Sequence, residues 1–267
     1  MRTRLVRVRR RPKGVVWAAV FLVAAMALYI RVSLPALRKM QAEETSAAGH
    51  GSRVTREAVI DGLEVWMVSF GRYGGMSEAK VEAARYVPRG AAGYVLEDEG
   101  YSVIGAGYAS ETDAEKVCAQ LTAAEGIGCA AESASASPVT LRMTAGSEQI
   151  AAFLEAEQTL RETAGALGKL AFSVDRGDAD AEQAVEVIGT HLNHVKNAEK
   201  KLREQLADSE SGIFGELLSM LGDMAGQMEE MRREKGAMAV SSRLKYCHVD
   251  FRVREIEWMN GISASAG

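Results

Sequence analysis

The chain has 267 residues, of which 47% are hydrophobic and 25% are charged, and its formal net charge at pH 7 is -4. This composition is typical of folded domains and excludes a largely disordered chain. Seven basic residues lie within the first 13 positions, so the rest of the chain is distinctly acidic. An acidic body repels phosphate backbones, and we therefore expect no nucleic-acid partner.

The N-terminal region predicts a membrane anchor. Residues 14–34 are apolar apart from Ser33 and Arg31, and the long side chain of Arg31 can reach the lipid headgroups. A helix of about 20 residues is roughly 30 Å long and matches the hydrocarbon core of a bilayer. More basic residues precede this segment than follow it closely, so the positive-inside rule places the basic tail, residues 1–13, in the cytoplasm. We therefore expect a single-pass protein of the cell membrane with an extracytoplasmic body.

A cleaved signal peptide is the alternative interpretation of the same region. Residues 25–27 (Ala-Met-Ala) have the small-x-small form of a cleavage site, and cleavage after Ala27 would release the body. The apolar run continues through residues 28–30, and Trp17 and Tyr29 lie near its ends, as interfacial aromatic residues do. These features favour an anchor that is retained.

The next segments predict a tether and an α+β domain. Residues 35–57 are mostly small and polar and predict the tether, whereas residues 58–145 predict the domain. Ser77 and Thr112 are predicted to cap two helices. Strands are predicted at residues 63–70, 93–96, 101–108, 127–132 and 139–143.

These pieces form an internal repeat with a period of 35 residues. Each copy consists of a strand, an aromatic turn, a helix and a second strand. Two such units pack most simply as a split βαβ domain of ferredoxin or RNP type, with an antiparallel sheet of four or more strands. Both helices then cover one face of the sheet, and we expect the other face to be open to an elongated ligand. The matching positions are Tyr73, Ser77, Glu78, Ala79, Ala84 and Gly93 in one copy and Tyr108, Thr112, Asp113, Ala114, Ala119 and Gly128 in the other.

The same stretches resemble a known family. Residues 68–73 (VSFGRY) are followed by 77–79 (SEA), and residues 101–108 (YSVIGAGY) are followed by 110–115 (SETDAE). This pattern is similar to the sporulation-related repeat, the SPOR domain, over residues 63–132. The resemblance implies a bacterial protein that is tethered to the cytoplasmic membrane. It also implies that the open sheet face binds peptidoglycan glycan strands that lack stem peptides.

The resemblance places the glycan site on the strands, where exposed hydrogen-bonding groups and an aromatic platform are needed. The candidate glycan-binding residues are Ser69, Arg72, Ser102 and Trp66. For Trp66 the alternative is a packed core aromatic residue, and for Arg72 it is a solvated turn residue.

Residues 146–262 predict a helical domain, and residues 263–267 predict a disordered tail. Apolar side chains recur at intervals of three and four, and helices are predicted to begin near residues 147, 180, 213 and 238. Short links between them favour antiparallel neighbours and hence a helical hairpin or bundle. Methionines of the third helix are predicted to fill the bundle core, and the alternative is a surface for a partner helix or for self-association. They are Met220, Met224, Met228 and Met231.

The sequence contains no pattern that demands an enzyme. His191 and His194 lie three residues apart without a third zinc ligand, and residues 71–75 lack the spacing of a phosphate-binding loop. We expect no catalytic residue, no metal and no cofactor. The cysteines permit one internal disulfide at most and are interpreted as buried thiols. They are Cys118, Cys129 and Cys247.

Three functions follow from these features, in decreasing order of preference. The leading hypothesis is a membrane-anchored, extracytoplasmic protein that binds peptidoglycan and acts in cell division, sporulation or envelope organisation. The alternative is a non-catalytic structural or assembly protein whose SPOR-like domain has lost glycan binding and whose helical domain binds other proteins. A cell-wall hydrolase comes last, because no catalytic constellation is found.

Overall fold

Residues 53–206 and 212–266 are described by the structure, which is a computed structural model. The predicted anchor at residues 14–34 lies outside them, as do the predicted basic tail and most of the predicted tether. None of the helices within the described ranges is long and apolar enough to cross a membrane. In chain order the elements are β1 (Arg53–Ile60), β2 (Leu63–Tyr73), α1 (Met76–Tyr86), a 3-10 turn (Val87–Arg89), β3 (Tyr94–Glu97), β4 (Tyr101–Tyr108), α2 (Glu111–Glu125), β5 (Ala130–Ala136), β6 (Val139–Gly146), α3 (Ser147–Asp175), α4 (Ala181–Leu206), α5 (Ile213–Met231) and α6 (Ala237–Ala266).

The central sheet is antiparallel and has the strand order β3-β4-β2-β5. Read along the chain, these strands and the two short helices follow the order β2-α1-β3-β4-α2-β5, which is a split βαβ arrangement. The prediction of an α+β chain with an antiparallel sheet and C-terminal helices is confirmed. Strand β4 occupies residues 101–108, as predicted from its β-branched and aromatic content.

The predicted helix caps are wrong by two residues. The hydroxyl of Ser110, rather than that of Thr112, accepts a hydrogen bond from the Asp113 amide over 3.2 Å and caps α2. Ser77 lies inside α1, which begins at Met76 without a side-chain cap. A capping hydroxyl accepts a hydrogen bond from the backbone amide two or three residues further along the chain. The N-cap is therefore the residue immediately before the first helical turn.

A separate two-stranded ribbon joins the start and the end of the α+β region. Strand β1 pairs with β6 in antiparallel register, from Arg53 opposite Gly146 to Ile60 opposite Val139. The predicted tether therefore ends too late, because residues 53–57 belong to β1. One face of the ribbon packs on the core, and the other is exposed. The paired residues lie 79 to 93 positions apart along the chain, so local composition alone does not reveal this pairing.

Both faces of the central sheet are covered. Helix α1 packs its alanines against Val103, and α2 packs Ala114 and Cys118 against Val68. The prediction that the opposite face is open is wrong, because α6 lies on it together with α3. Met67 and Ile104 on that face share one core cluster with Val249 of α6.

Helix α6 is the central element of the C-terminal region. Its buried side chains lie around most of the helix circumference, as expected for a helix packed on several sides. It contacts the sheet on one side and helices α3 and α5 on the others. The same core continues across the predicted boundary at residues 145 and 146, where β6 ends at Gly146 and α3 begins at the next residue, Ser147.

Candidate functional site

The sheet face that the SPOR resemblance identifies as a glycan site lies beneath α6. Ser69 is 2% exposed and Ser102 is 0% exposed, and both lie on the Ile104 side of the sheet. The Ser102 hydroxyl has no hydrogen-bond partner among the described residues. Neither hydroxyl is therefore presented to solvent in this conformation.

The other two candidate residues lie elsewhere. Trp66 is on the α2 side of the sheet, half-buried against the cluster of Val68 and Cys118, so it is a packed aromatic residue. Arg72 is near the end of β2, its side chain is 44% exposed, and its guanidinium lies 3.7 Å from the Glu132 carboxylate. Of the four candidates, Arg72 alone has an exposed side chain.

Two glycines let α6 approach the sheet closely. The ring of His248 lies against both Gly107 of β4 and Gly168 of α3. A Cβ atom on Gly168 would lie 2.8 Å from His248 Nδ1, and one on Gly107 would lie 3.1 Å from His248 Cδ2. Any larger side chain would push the helix away from the sheet.

His248 is also fixed by a hydrogen bond. Its Nδ1 lies 2.7 Å from the Ala164 carbonyl oxygen, and burial lowers the pKa of the imidazole to about 4. The ring is therefore neutral at pH 7, and Nδ1 carries the proton because a carbonyl oxygen only accepts. This histidine has a structural role at the junction of sheet and helices.

Polar side chains of α6 hold the loop that follows the 3-10 turn. Ser242 donates to the Ala91 carbonyl oxygen over 2.6 Å, and Lys245 donates to that of Gly90 over 2.7 Å. Lys245 also lies 2.7 Å from the carboxylate of Asp175, which accepts a further hydrogen bond from Ser241. These contacts satisfy backbone carbonyls that would otherwise be left without partners when α6 covers the loop.

A cluster of four charges joins the ribbon, α3 and α6. Glu255 is fully buried, and its carboxylate accepts hydrogen bonds from Arg161 Nε over 2.7 Å and from Arg252 over 3.1 Å. Arg161 also pairs with Glu157 over 3.0 Å and donates to the Asp61 carbonyl oxygen over 2.9 Å. The sequence alone shows only that Glu157 and Arg161 have the spacing of an ion pair along one helix. The second partner of Arg161, Glu255 on α6, lies 94 positions further along the chain.

An open groove with a volume of about 600 Å³ lies between α5 and α6. Its floor includes Trp258, which is 7% exposed and whose indole Nε1 has no hydrogen-bond partner in the described part of the chain. Glu216 and Glu257 are exposed along its rim, whereas Arg254 is engaged by Asp223 over 2.7 Å. The rim is therefore acidic, and the floor is apolar.

The predicted core role of the methionines fits their positions. Met220, Met224, Met228 and Met231 are all nearly or completely buried within the helical region. Met220 additionally lines the groove, at the edge of the core.

The histidine pair gives no metal centre. The rings of His191 and His194 have centroids 6.1 Å apart on α4, and burial lowers the pKa of His191. Within residues 53–206 and 212–266, no group of three His, Cys, Asp or Glu side chains is placed to hold a metal ion.

No protein-family model, curated protein or solved structure matches this chain. The SPOR resemblance therefore stays a prediction from the residues that carry it.

Proposed function

We propose that this chain is a membrane-anchored, extracytoplasmic structural protein without catalytic activity, whose helical region binds a partner protein in the cell envelope. The observation that carries the proposal is the position of α6 on the sheet face, where it buries Ser69 and Ser102. The anchor in this proposal rests on the sequence of residues 14–34.

Free energies favour the covered face over a glycan complex. A ligand of micromolar affinity contributes about 8 kcal/mol. Releasing α6 from the core would expose several fully buried side chains, each worth about 2 kcal/mol, among them Val249, Phe251 and Met259. Because α6 belongs to the same chain, it also competes at a high effective concentration. The sheet face therefore serves as the packing surface for α6.

Peptidoglycan binding is the second candidate, and one observation favours it. The Arg72 guanidinium is exposed near one end of the sheet, where a sugar hydroxyl could accept its hydrogen bonds. A contact of this kind would use only the rim of the sheet and leave α6 in place.

A sedimentation assay on purified sacculi separates the two candidates. We expect the fragment of residues 53–267 to stay in the supernatant with intact sacculi and with amidase-treated sacculi, whose glycans lack stem peptides. A SPOR domain of known glycan affinity serves as the positive control. Glycan binding would be supported, and the proposal overturned, by retention of the fragment on treated sacculi that depends on Arg72. Arg72→Ala would then lose the retention, and the matched exposed variant Arg142→Ala would keep it.

The groove between α5 and α6 is the surface that we assign to the partner. Its acidic rim and apolar floor are complementary to an amphipathic helix with basic residues beside its apolar stripe.

Site-specific photocrosslinking tests the groove in cells that produce the full chain. A photoreactive amino acid at Ser219, an exposed residue of the groove, should give a discrete crosslinked product, whereas the same amino acid at the exposed Thr140 of β6 should give none. Reversing the rim charge with Glu216→Lys and Glu257→Lys should abolish the product, and the control Glu115→Lys should not. A product that survives the rim reversal would contradict the basic partner.

A further inference from the structure

Two cysteines of the central domain lie side by side. Cys118 is at the middle of α2, and Cys129 is the last residue before β5. The Cys129 thiol donates a hydrogen bond to the Cys118 carbonyl oxygen over a sulfur–oxygen distance of 3.4 Å. Both side chains belong to the small cluster around Val68, on the α2 side of the sheet.

The segment that joins them is held in place by hydrogen bonds. Helix α2 ends at Gly126, whose φ of 66° is in the left-handed region, and the Ile127 amide donates to the Leu121 carbonyl oxygen over 3.4 Å. The Thr122 hydroxyl donates to the Ile127 carbonyl oxygen over 2.9 Å. These hydrogen bonds fix the path of the segment from α2 to β5 and so hold the two cysteines next to each other.

The two thiols differ in how a reagent can reach them. Cys118 is 8% exposed, and burial, followed by the hydrogen bond with the Cys129 side chain, raises the pKa of its thiol to about 12. Cys129 is only half-buried and can meet a reagent from solution. Cys247 is 1% exposed in α6 and belongs to the other core cluster.

We propose that Cys118 and Cys129 form a dithiol site that is oxidised to an intramolecular disulfide by exchange with a small-molecule or protein disulfide. The Cys129 thiolate attacks one sulfur of the oxidant and forms a mixed disulfide with it. The S–S bond of the oxidant breaks, and its other sulfur leaves as a thiolate. The Cys118 thiolate then attacks the Cys129 sulfur and displaces the second thiol of the oxidant. The two protein sulfurs lose two electrons and two protons, and the oxidant disulfide is reduced to two thiols.

The crosslink would join α2 to the start of β5 across 11 positions of chain. This bond would fix the α2 flank of the sheet, on the face opposite α6. A disulfide here persists only in an oxidising compartment, and that consequence rests on the proposed extracytoplasmic location. Oxidation of the purified protein does not depend on that location. An experiment can therefore contradict the dithiol site without contradicting the proposed location, and the reverse also holds.

Thiol counting on the purified full chain tests the site. The protein is incubated with excess oxidised glutathione, quenched with acid, unfolded, labelled with a maleimide and digested for mass spectrometry. We expect a single labelled cysteine, Cys247, and a peptide pair linked through Cys118 and Cys129 that has lost two hydrogen atoms. Three labelled thiols, or glutathione that remains attached to Cys129, would overturn the proposal.

Two variants keep the result interpretable. Cys247→Ala should leave the crosslink unchanged, whereas Cys118→Ala should trap the glutathione adduct on Cys129. Thermal unfolding provides a second readout, in which oxidation should raise Tm by about 5 °C in the unaltered chain and not in Cys118→Ala. If oxidation raised Tm equally in Cys118→Ala, the stabilisation would have another cause, and the proposed crosslink would be contradicted.

Discussion

Replacement of Glu255 by alanine is expected to lower the free energy of unfolding by about 3–5 kcal/mol. The Glu255 carboxylate is fully buried between the guanidinium groups of Arg161 and Arg252. Its removal leaves two largely buried cations without their shared counterion, and the loss of a buried partner costs more than the pair contributes when intact. Denaturant unfolding of residues 53–267 provides the measurement.

An exposed ion pair of the same helical region gives the matched control. Glu155 pairs with Lys201, and the two side chains are 52% and 50% exposed. Glu155→Ala should cost less than about 1 kcal/mol, because solvent screens exposed pairs. If Glu255→Ala were as mild as Glu155→Ala, the buried cluster would not contribute to the junction of ribbon, α3 and α6.

Replacement of Glu157 by glutamine is expected to stabilise the chain by about 3 kcal/mol at pH 8 and to have little effect near pH 4. Burial raises the pKa of Glu157 to about 7, against the opposing effect of Arg161. Between about pH 4.5 and 7 the folded chain therefore holds a proton that the unfolded chain has released, and the stability contribution of this group falls as the pH rises. Glutamine resembles the protonated form and removes this loss.

The difference between variant and unaltered chain is the quantity to measure across this range. His248, whose pKa is lowered to about 4, gives the opposite slope, because the unfolded chain binds its proton first. That slope is present in both proteins and cancels in the difference. Glu162→Gln, at an exposed position of the same helix, is the matched control for the substitution itself. A difference that stays constant from pH 4 to pH 8 would refute the raised pKa of Glu157.

Local patterns predicted the elements more successfully than the packing between them. The repeat gave the strands and short helices of the split βαβ arrangement, and Ile213 begins α5 at the predicted residue. Such features depend on side-chain period and capping within about ten residues of chain. The missed features are β1 paired with β6 and α6 placed on the sheet, which depend on contacts between segments far apart in sequence.

The candidate site residues show the same difference between local features, which the sequence predicts, and long-range contacts, which it does not. Ser69, Ser102 and Trp66 do lie in strands, as predicted from the sequence. Their exposure depends on which elements cover each face, and α6 is encoded more than a hundred residues after these strands. Alternate side chains of a strand point to opposite faces, and the nearly continuous apolar run of β4 indicates burial on both faces without showing which element covers the second one. The small residues that admit α6, Gly107 and Gly168, are in retrospect a further local signal of close packing.

The central position of α6 also determines when the chain can fold during synthesis. Helix α6, around which the sheet and the other helices pack, follows along the chain all the described elements that it contacts, so it leaves the ribosome after them. Until it does, the face containing Met67 and Ile104 has only part of its cover, and the nascent chain lacks the contacts that close its core. Contacts between such distant segments slow folding. The order of elements therefore delays closure of the core until α6 has been synthesised, and a stop codon anywhere before residue 237 would leave a product whose core lacks this helix.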